Sequence, residues 1–180
     1  ADVNATSTAV TAAGGKVVYA PVMLGERGET AVFKDPEGVL FGVVHSKNGD
    51  PLDYAGELNE WYWVDLWTAD VEKAATFYRA AIGYETAPVA DDGPRSGVRL
   101  LSGGFARAGI MQKNSEKSSA TWLPYIRVAD AKAAAAAARA AGGKVLLDPV
   151  AMNIATVAII ADPTGAPVGI VQLPAPEAQP

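Results

Sequence analysis

The 180-residue chain contains no cysteine, which excludes disulfide crosslinks, thiolate nucleophiles and every cysteine-based metal site. It contains one histidine, His45, so a soft metal would find a single nitrogen ligand. Positive charge is scarce: 15 Lys and Arg stand against 20 Asp and Glu, for a net charge of -5 and a pI near 4.9. No Lys/Arg cluster supplies the counterion release that drives phosphate-backbone binding, and nucleic acid is not expected as a partner. Long apolar runs are also missing. The Ala-rich stretch from Ala129 to Ala141 is interrupted by Lys132 and Arg139, and alanine contributes little to membrane insertion, so no membrane span is expected.

The composition, 49% hydrophobic and 19% charged residues with frequent Gly and Pro, is that of a soluble globular protein long enough for one compact domain and part of a second. The compartment stays open between cytoplasm and export. The first residue is Ala1 and not Met, so an N-terminal piece is expected to have been removed, left out or not resolved, and such a piece has room for an export signal.

An internal repeat organises the chain. ADVNATSTAVTAAGGKVVYAPV, from Ala1, lines up with ADAKAAAAAARAAGGKVLLDPV, from Ala129, and both run through apolar alternation into an Asp-Pro-x-Gly turn, Asp35 to Gly38 and Asp162 to Gly165. In each copy an Asp, Asp2 or Asp130, is placed to cap an Ala-rich helix, and a Gly-Gly pair, Gly14-Gly15 or Gly142-Gly143, to end it. The strand that follows, VVYAPV or VLLDPV, is expected to stop pairing at its proline. TAVFKDPEG and TVAIIADPTG read as a strand closed by a turn, with LFGVVH and PVGIVQL as the returning strands.

A less similar unit lies between the two. WYWVDLWTAD alternates as a strand, Asp70 is a helix cap, and VEKAATFYRAAIGYE is amphipathic, with Val71, Ala74, Phe77, Tyr78 and Ile82 near one stripe and Gly83 ending it. Three short strands are expected in Tyr84 to Val89, Gly97 to Leu101 and Ala106 to Gln112. The reading is therefore an incomplete βαβββ module over residues 1–46 that lacks its first strand, a linker over 47–59, and two complete modules, 60–115 and 121–174, that form one domain over 60–174, with a tail at 175–180. A module without its first strand leaves an open edge, which self-association or a preceding segment is expected to complete.

VDLWTADVEKAATFYRAAIGYE and YIRVAD…AAGGKV…P…ADPTGAPVGIV together resemble the glyoxalase/bleomycin-resistance/extradiol-dioxygenase (vicinal oxygen chelate) superfamily over nearly the whole chain. The resemblance implies an α+β fold of tandem βαβββ modules, two of which pair into a curved eight-stranded cup with helices on its outer face and a ligand inside. In metal-dependent members, inward His, Gln or Glu side chains on first and last strands hold a divalent ion. Transferred by offset from the capping Asp and the turn glycine, those positions fall here on Trp63, Leu123, Gly169, Gly42 and Ala108 or Gly109. None offers a donor side chain, so neither a metal nor another cofactor is expected.

Period-two alternation turns Tyr62, Val64 and Leu66 toward the helices and Trp61, Trp63, Asp65 and Trp67 toward the cup, with Leu123, Tyr125 and Arg127 inward on the matching strand. Aromatic walls with a few orienting charges suit a small organic ligand. Trp63, Trp67 and Tyr125 would stack on it, Asp65 and Arg127 would orient it, and Arg107, with Arg99, would neutralise an anionic group. Against this stand a cup filled by its own rings, an Asp65–Arg127 pair that is purely structural, a solvated His45, and Phe77 and Tyr78 as helix-to-sheet packing. The expected function is a glyoxalase-like small-molecule-binding protein without the family metal site. The alternatives are a metal-dependent lyase, isomerase or dioxygenase of the same superfamily, and a structural or interaction module.

Overall fold

The computed structural model describes residues 2–49, 56–89, 97–113, 115, 118–152 and 154–174. Positions 50–55 of the expected linker and the expected tail lie outside the described residues. The fold is mixed α+β. Helix α1 (Val3–Ala12) is followed by β1 (Lys16–Met23), β2 (Glu29–Lys34) and β3 (Leu40–His45). The middle module comprises β4 (Trp61–Thr68), α2 (Val71–Ile82), β5 (Glu85–Pro88), β6 (Gly97–Ser102) and β7 (Phe105–Gln112). The last comprises β8 (Thr121–Arg127), α3 (Ala131–Ala140), β9 (Lys144–Met152), β10 (Ala155–Ala161) and β11 (Pro167–Gln172).

Each helix starts where an aspartate satisfies its orphan N–H groups. The Asp2 carboxylate accepts from the amides of Asn4 and Ala5, that of Asp70 from Lys73, and that of Asp130 from Lys132 and Ala133. The helices end against glycines at positive φ, Gly14 at 91°, Gly83 at 82° and Gly142 at 85°, a conformation that costs other residues about 1 kcal/mol.

The strands form a three-stranded sheet, β1-β2-β3, and an open eight-stranded sheet in the order β5-β6-β7-β4-β8-β11-β10-β9. In both complete modules the first strand runs parallel to the last, β4 along β7 and β8 along β11. One expectation is corrected. Pairing does not stop at the prolines, because β1 continues through Pro21 and β9 through Pro149. Both are edge strands, where a missing N–H need break no ladder, and both ladders shift register around the proline.

By compactness the chain divides into two units, Ala1–Asp53 with Asp65–Trp122, and Tyr54–Val64 with Leu123–Pro180. In the first unit α1 and β1-β2-β3 pack with α2, through Phe33, Phe41, Phe77 and Tyr78. The Phe41 ring lies 6.0 Å from that of Phe77 and 5.4 Å from that of Tyr78, both edge-on, the geometry aromatic quadrupoles favour. Phe77 and Tyr78 are thus packing residues, as expected, but they pack against Phe41 of β3 as well. The second unit is built from smaller groups: Ala131, Ala158 and Ile170, surrounded by Val128, Ala134 and Ile160.

Candidate functional site

In the first unit, alternation divides β4, β6 and β7 into two faces. Leu66, Thr68, Leu100, Ala108 and Ile110 are buried on one. The other carries Asp65, Trp67, Arg99, Arg107 and Met111, all partly exposed. Sheet register aligns these in rows. Asp65 on β4 and Arg99 on β6 both stand opposite Gly109 on β7, between them. Neighbouring strands are about 4.8 Å apart, so an acid and a base project from the same face about 10 Å apart over a residue with no side chain. The next row sets Trp67 opposite Met111 and Met111 opposite Gly97. Arg107 places its guanidinium carbon 5.6 Å from the centroid of the Phe105 ring, farther along β7. This face has an aromatic wall, charges of both signs and a floor of glycine.

The remaining candidates lie in the second unit. Trp63 is half-buried on β4. Leu123 and Tyr125 are buried on β8. Tyr125 stands opposite Gly169, and a Cβ at Gly169 would collide with its ring, so glycine is required there for the tyrosine to lie flat on β11. Arg127 donates from Nη1 to the carbonyl of Gly56 at 2.9 Å, and its backbone N–H donates to Glu60 at 3.0 Å. Its guanidinium therefore anchors the chain leading into β4.

The residues to which the family's metal positions transfer by sequence offset, Trp63, Leu123, Gly169, Gly42 and Ala108 or Gly109, present indole, alkyl groups or bare backbone. Among the described residues no three His, Cys, Asp or Glu side chains are grouped to hold an ion. None of the five or six residues named brings the oxygen, nitrogen or sulfur side-chain donor that a divalent ion requires. His45 is exposed at the end of β3, opposite Glu29.

A buried polar junction escaped the reading of the sequence. In the Asp35–Gly38 turn, Asp35 Oδ1 accepts from the amides of Glu37 and Val39 at 3.0 and 2.9 Å, and Oδ2 accepts from the Tyr78 hydroxyl at 3.3 Å. Glu37 accepts from the Thr68 hydroxyl and from the Ala69 amide, 3.3 Å away. One turn thus grips both α2 and the β4–α2 corner. Burial raises the Asp35 pKa, against the lowering effect of its hydrogen bonds, and burial together with the Asp35 charge raises that of Tyr78. The sister turn has the same backbone geometry, yet Asp162 is exposed, and hydrogen bonds led by the Thr164 hydroxyl lower its pKa. The only signal in the sequence was Glu37 where the other copy has Thr164.

A family model described as "Glyoxalase-like domain" matches residues 61–171, more than half of the chain, and the protein belongs to that family. Over 178 residues it is 29% identical to the Mycobacterium bovis protein named "Putative glyoxylase CFP32", covering 98% of this chain and 67% of that one. It is also 29% identical over 183 residues to the "Anthracycline biosynthesis protein DauV" of Streptomyces sp. (strain C5), covering 96% of this chain and 62% of that one. Among solved structures, the 2,3-dioxygenase LapB of Pseudomonas sp. KL28 superposes with a TM-score of 0.59 at 14% identity, covering 99% of this chain and 70% of that one. At that identity the likeness shows the fold alone. No described helix is long and apolar enough to cross a membrane.

Proposed function

We propose that this glyoxalase-like chain binds a small, planar organic molecule without a metal ion, on the β4-β6-β7 face of the first unit. The observation that carries the reading is the row Arg99–Gly109–Asp65, in which opposite charges flank a glycine floor. A ring system of about 10 Å could lie over Gly109 with its polar edges toward the two charges. Trp67 supplies a stacking surface beside it, a contact that adds about 1 kcal/mol beyond buried area. Arg107 adds positive charge for an anionic substituent. In the second unit, taken by itself, Trp63, Leu123, Tyr125 and Arg127 are proposed as contacts of a small ligand, and single substitutions of each in a fluorescence titration test that. The printed name of DauV, an anthracycline biosynthesis protein, supports a polycyclic aromatic of that class as the first ligand to try.

The test is a tryptophan-fluorescence titration of the purified chain with an anthracycline and smaller planar acids, with and without EDTA. The reading expects saturable quenching that EDTA leaves unchanged. Trp67→Phe should reduce its amplitude, and Arg99→Ala or Asp65→Ala should weaken affinity about tenfold, the equivalent of one charge-assisted hydrogen bond. Unchanged affinity in both charge variants would overturn the placement, and a signal abolished by EDTA and restored by a divalent ion would favour the metal-dependent enzyme instead.

A further inference from the structure

On the β4-β6-β7 face of the first unit, the row beside Arg99–Gly109–Asp65 is Gly97–Met111–Trp67, with β7 lying between β6 and β4. Met111 is partly exposed and has glycine on one side and tryptophan on the other. Its side chain goes to the glycine. A Cβ at Gly97 would fall 2.5 Å from the Met111 sulfur and 3.1 Å from its methyl carbon. The thioether therefore lies flat across β6, in the space that any other residue at position 97 would fill. The Ile110 carbonyl oxygen, 2.9 Å from the same Cβ position, adds a second close approach.

The second unit, taken by itself, shows the same device with a stiffer occupant, since the Tyr125 ring fills the space over Gly169. A phenol ring turns on two torsions and packs as a plate. Methionine has three torsions and a polarizable sulfur, and it adapts its shape to a changing neighbour. Folded onto β6, the Met111 thioether does not occupy the strip of β7 beside Trp67. Turned the other way, it would. Neighbouring strands are about 4.8 Å apart, so the swing changes the free width of the face by about one aromatic ring.

We propose that Gly97 and Met111 act as a pair that sets which planar ligand the face accepts. Gly97 gives the thioether a place to fold away, and Met111 closes on ligands too small to fill the strip. This rests on the ligand-binding reading of the face and deepens it, naming as ligand class the aromatic acids of two to three fused rings, with the carboxylate toward Arg99. The larger acids lie along β7 with Met111 folded onto β6. The smaller are held by a thioether swung toward Trp67, in an attractive sulfur–aromatic contact.

The experiment titrates naphthoate, with two rings, and anthraquinone carboxylate, with three, into the parent chain, Gly97→Ala, Met111→Ala and the double variant. The quantity read is the ratio of three-ring to two-ring affinity. In Gly97→Ala the new methyl drives the thioether toward Trp67, and the ratio should fall about tenfold. Its strain against the Ile110 carbonyl weakens both acids alike and cancels in the ratio. Met111→Ala should weaken the two-ring acid alone, by about fivefold, so that the ratio rises. The double variant should match Met111→Ala within about twofold, because no thioether remains to be displaced. If Gly97→Ala does not fold, Met111→Ile takes its place: branched at Cβ and stiff at its first torsion, it stays upright on β7 and should lower the ratio in the same way. A ratio unmoved in the Gly97→Ala or Met111→Ile chain, or still depressed in the double variant, would overturn the pairing and leave the ligand reading standing. A parent chain that binds neither acid would overturn both.

Discussion

Replacing Asp35 separates the two things its carboxylate does. It accepts three hydrogen bonds, two from turn amides and one from Tyr78, while being almost fully buried. In Asp35→Ala the Val39 amide and the Tyr78 hydroxyl lose their partner in a buried setting. Each such orphan costs about 1–3 kcal/mol, so a total of about 2–6 kcal/mol is expected. Asp35→Asn keeps an oxygen for the two amides and offers an N–H to the phenolic oxygen, without the charge that burial penalises, and should stay within about 1 kcal/mol of the parent at pH 7. The sign of the pH effect follows from linkage. The folded pKa is raised above the ordinary value of about 3.9, so the folded state binds more protons than the unfolded one between the two values, and stability contributed by Asp35 falls as pH rises through that window. The parent should therefore gain stability relative to Asp35→Asn as pH is lowered from 7 to 4. Urea unfolding followed by tryptophan fluorescence at both pH values measures this. An Asn variant as damaged as the Ala variant, or a parent that loses ground to Asn on acidification, would refute the assignment.

Other substitutions test other parts of the account. Gly169→Ala must displace the Tyr125 ring, and a loss of about 1–3 kcal/mol in thermal or urea unfolding is expected, smaller when Tyr125→Leu is made with it. Gly83→Ala, at φ 82°, should cost about 1 kcal/mol by helix-end strain alone, with no effect on ligand titration. Phe41→Ala empties a contact shared with Phe33, Phe77 and Tyr78 and should cost about 3 kcal/mol or more, whereas loss of exposed His45 in His45→Ala should fall within about 0.5 kcal/mol of the parent.

Much of the module architecture was legible because its signals are local. A capping Asp, a Gly-Gly stop and an Asp-Pro-x-Gly turn fix helix and strand ends within a few residues, and repetition made each one cross-check another. The course of β1 and β9 past Pro21 and Pro149 was not legible, since whether a proline interrupts a ladder depends on which strand lies at an edge. The Asp35–Tyr78 bond joins residues 43 apart, and nothing near either marks the other. For the candidate site, alternation put Asp65 and Trp67 on one face, but the row with Arg99 over Gly109 required the register of three strands. Arg127 was read as a ligand-orienting charge, and its bond to the Gly56 carbonyl comes from a loop whose path no periodicity encodes.

The most direct test of the central claim is isothermal titration of an anthracycline into chain freed of metal by EDTA, compared with chain supplemented with Mn²⁺, Ni²⁺ or Zn²⁺. Saturable one-to-one binding of equal affinity in every sample, weakened about tenfold by Arg99→Ala, is the predicted result. Binding that appears only with a divalent ion, or that ignores Arg99→Ala and Asp65→Ala alike, would contradict it.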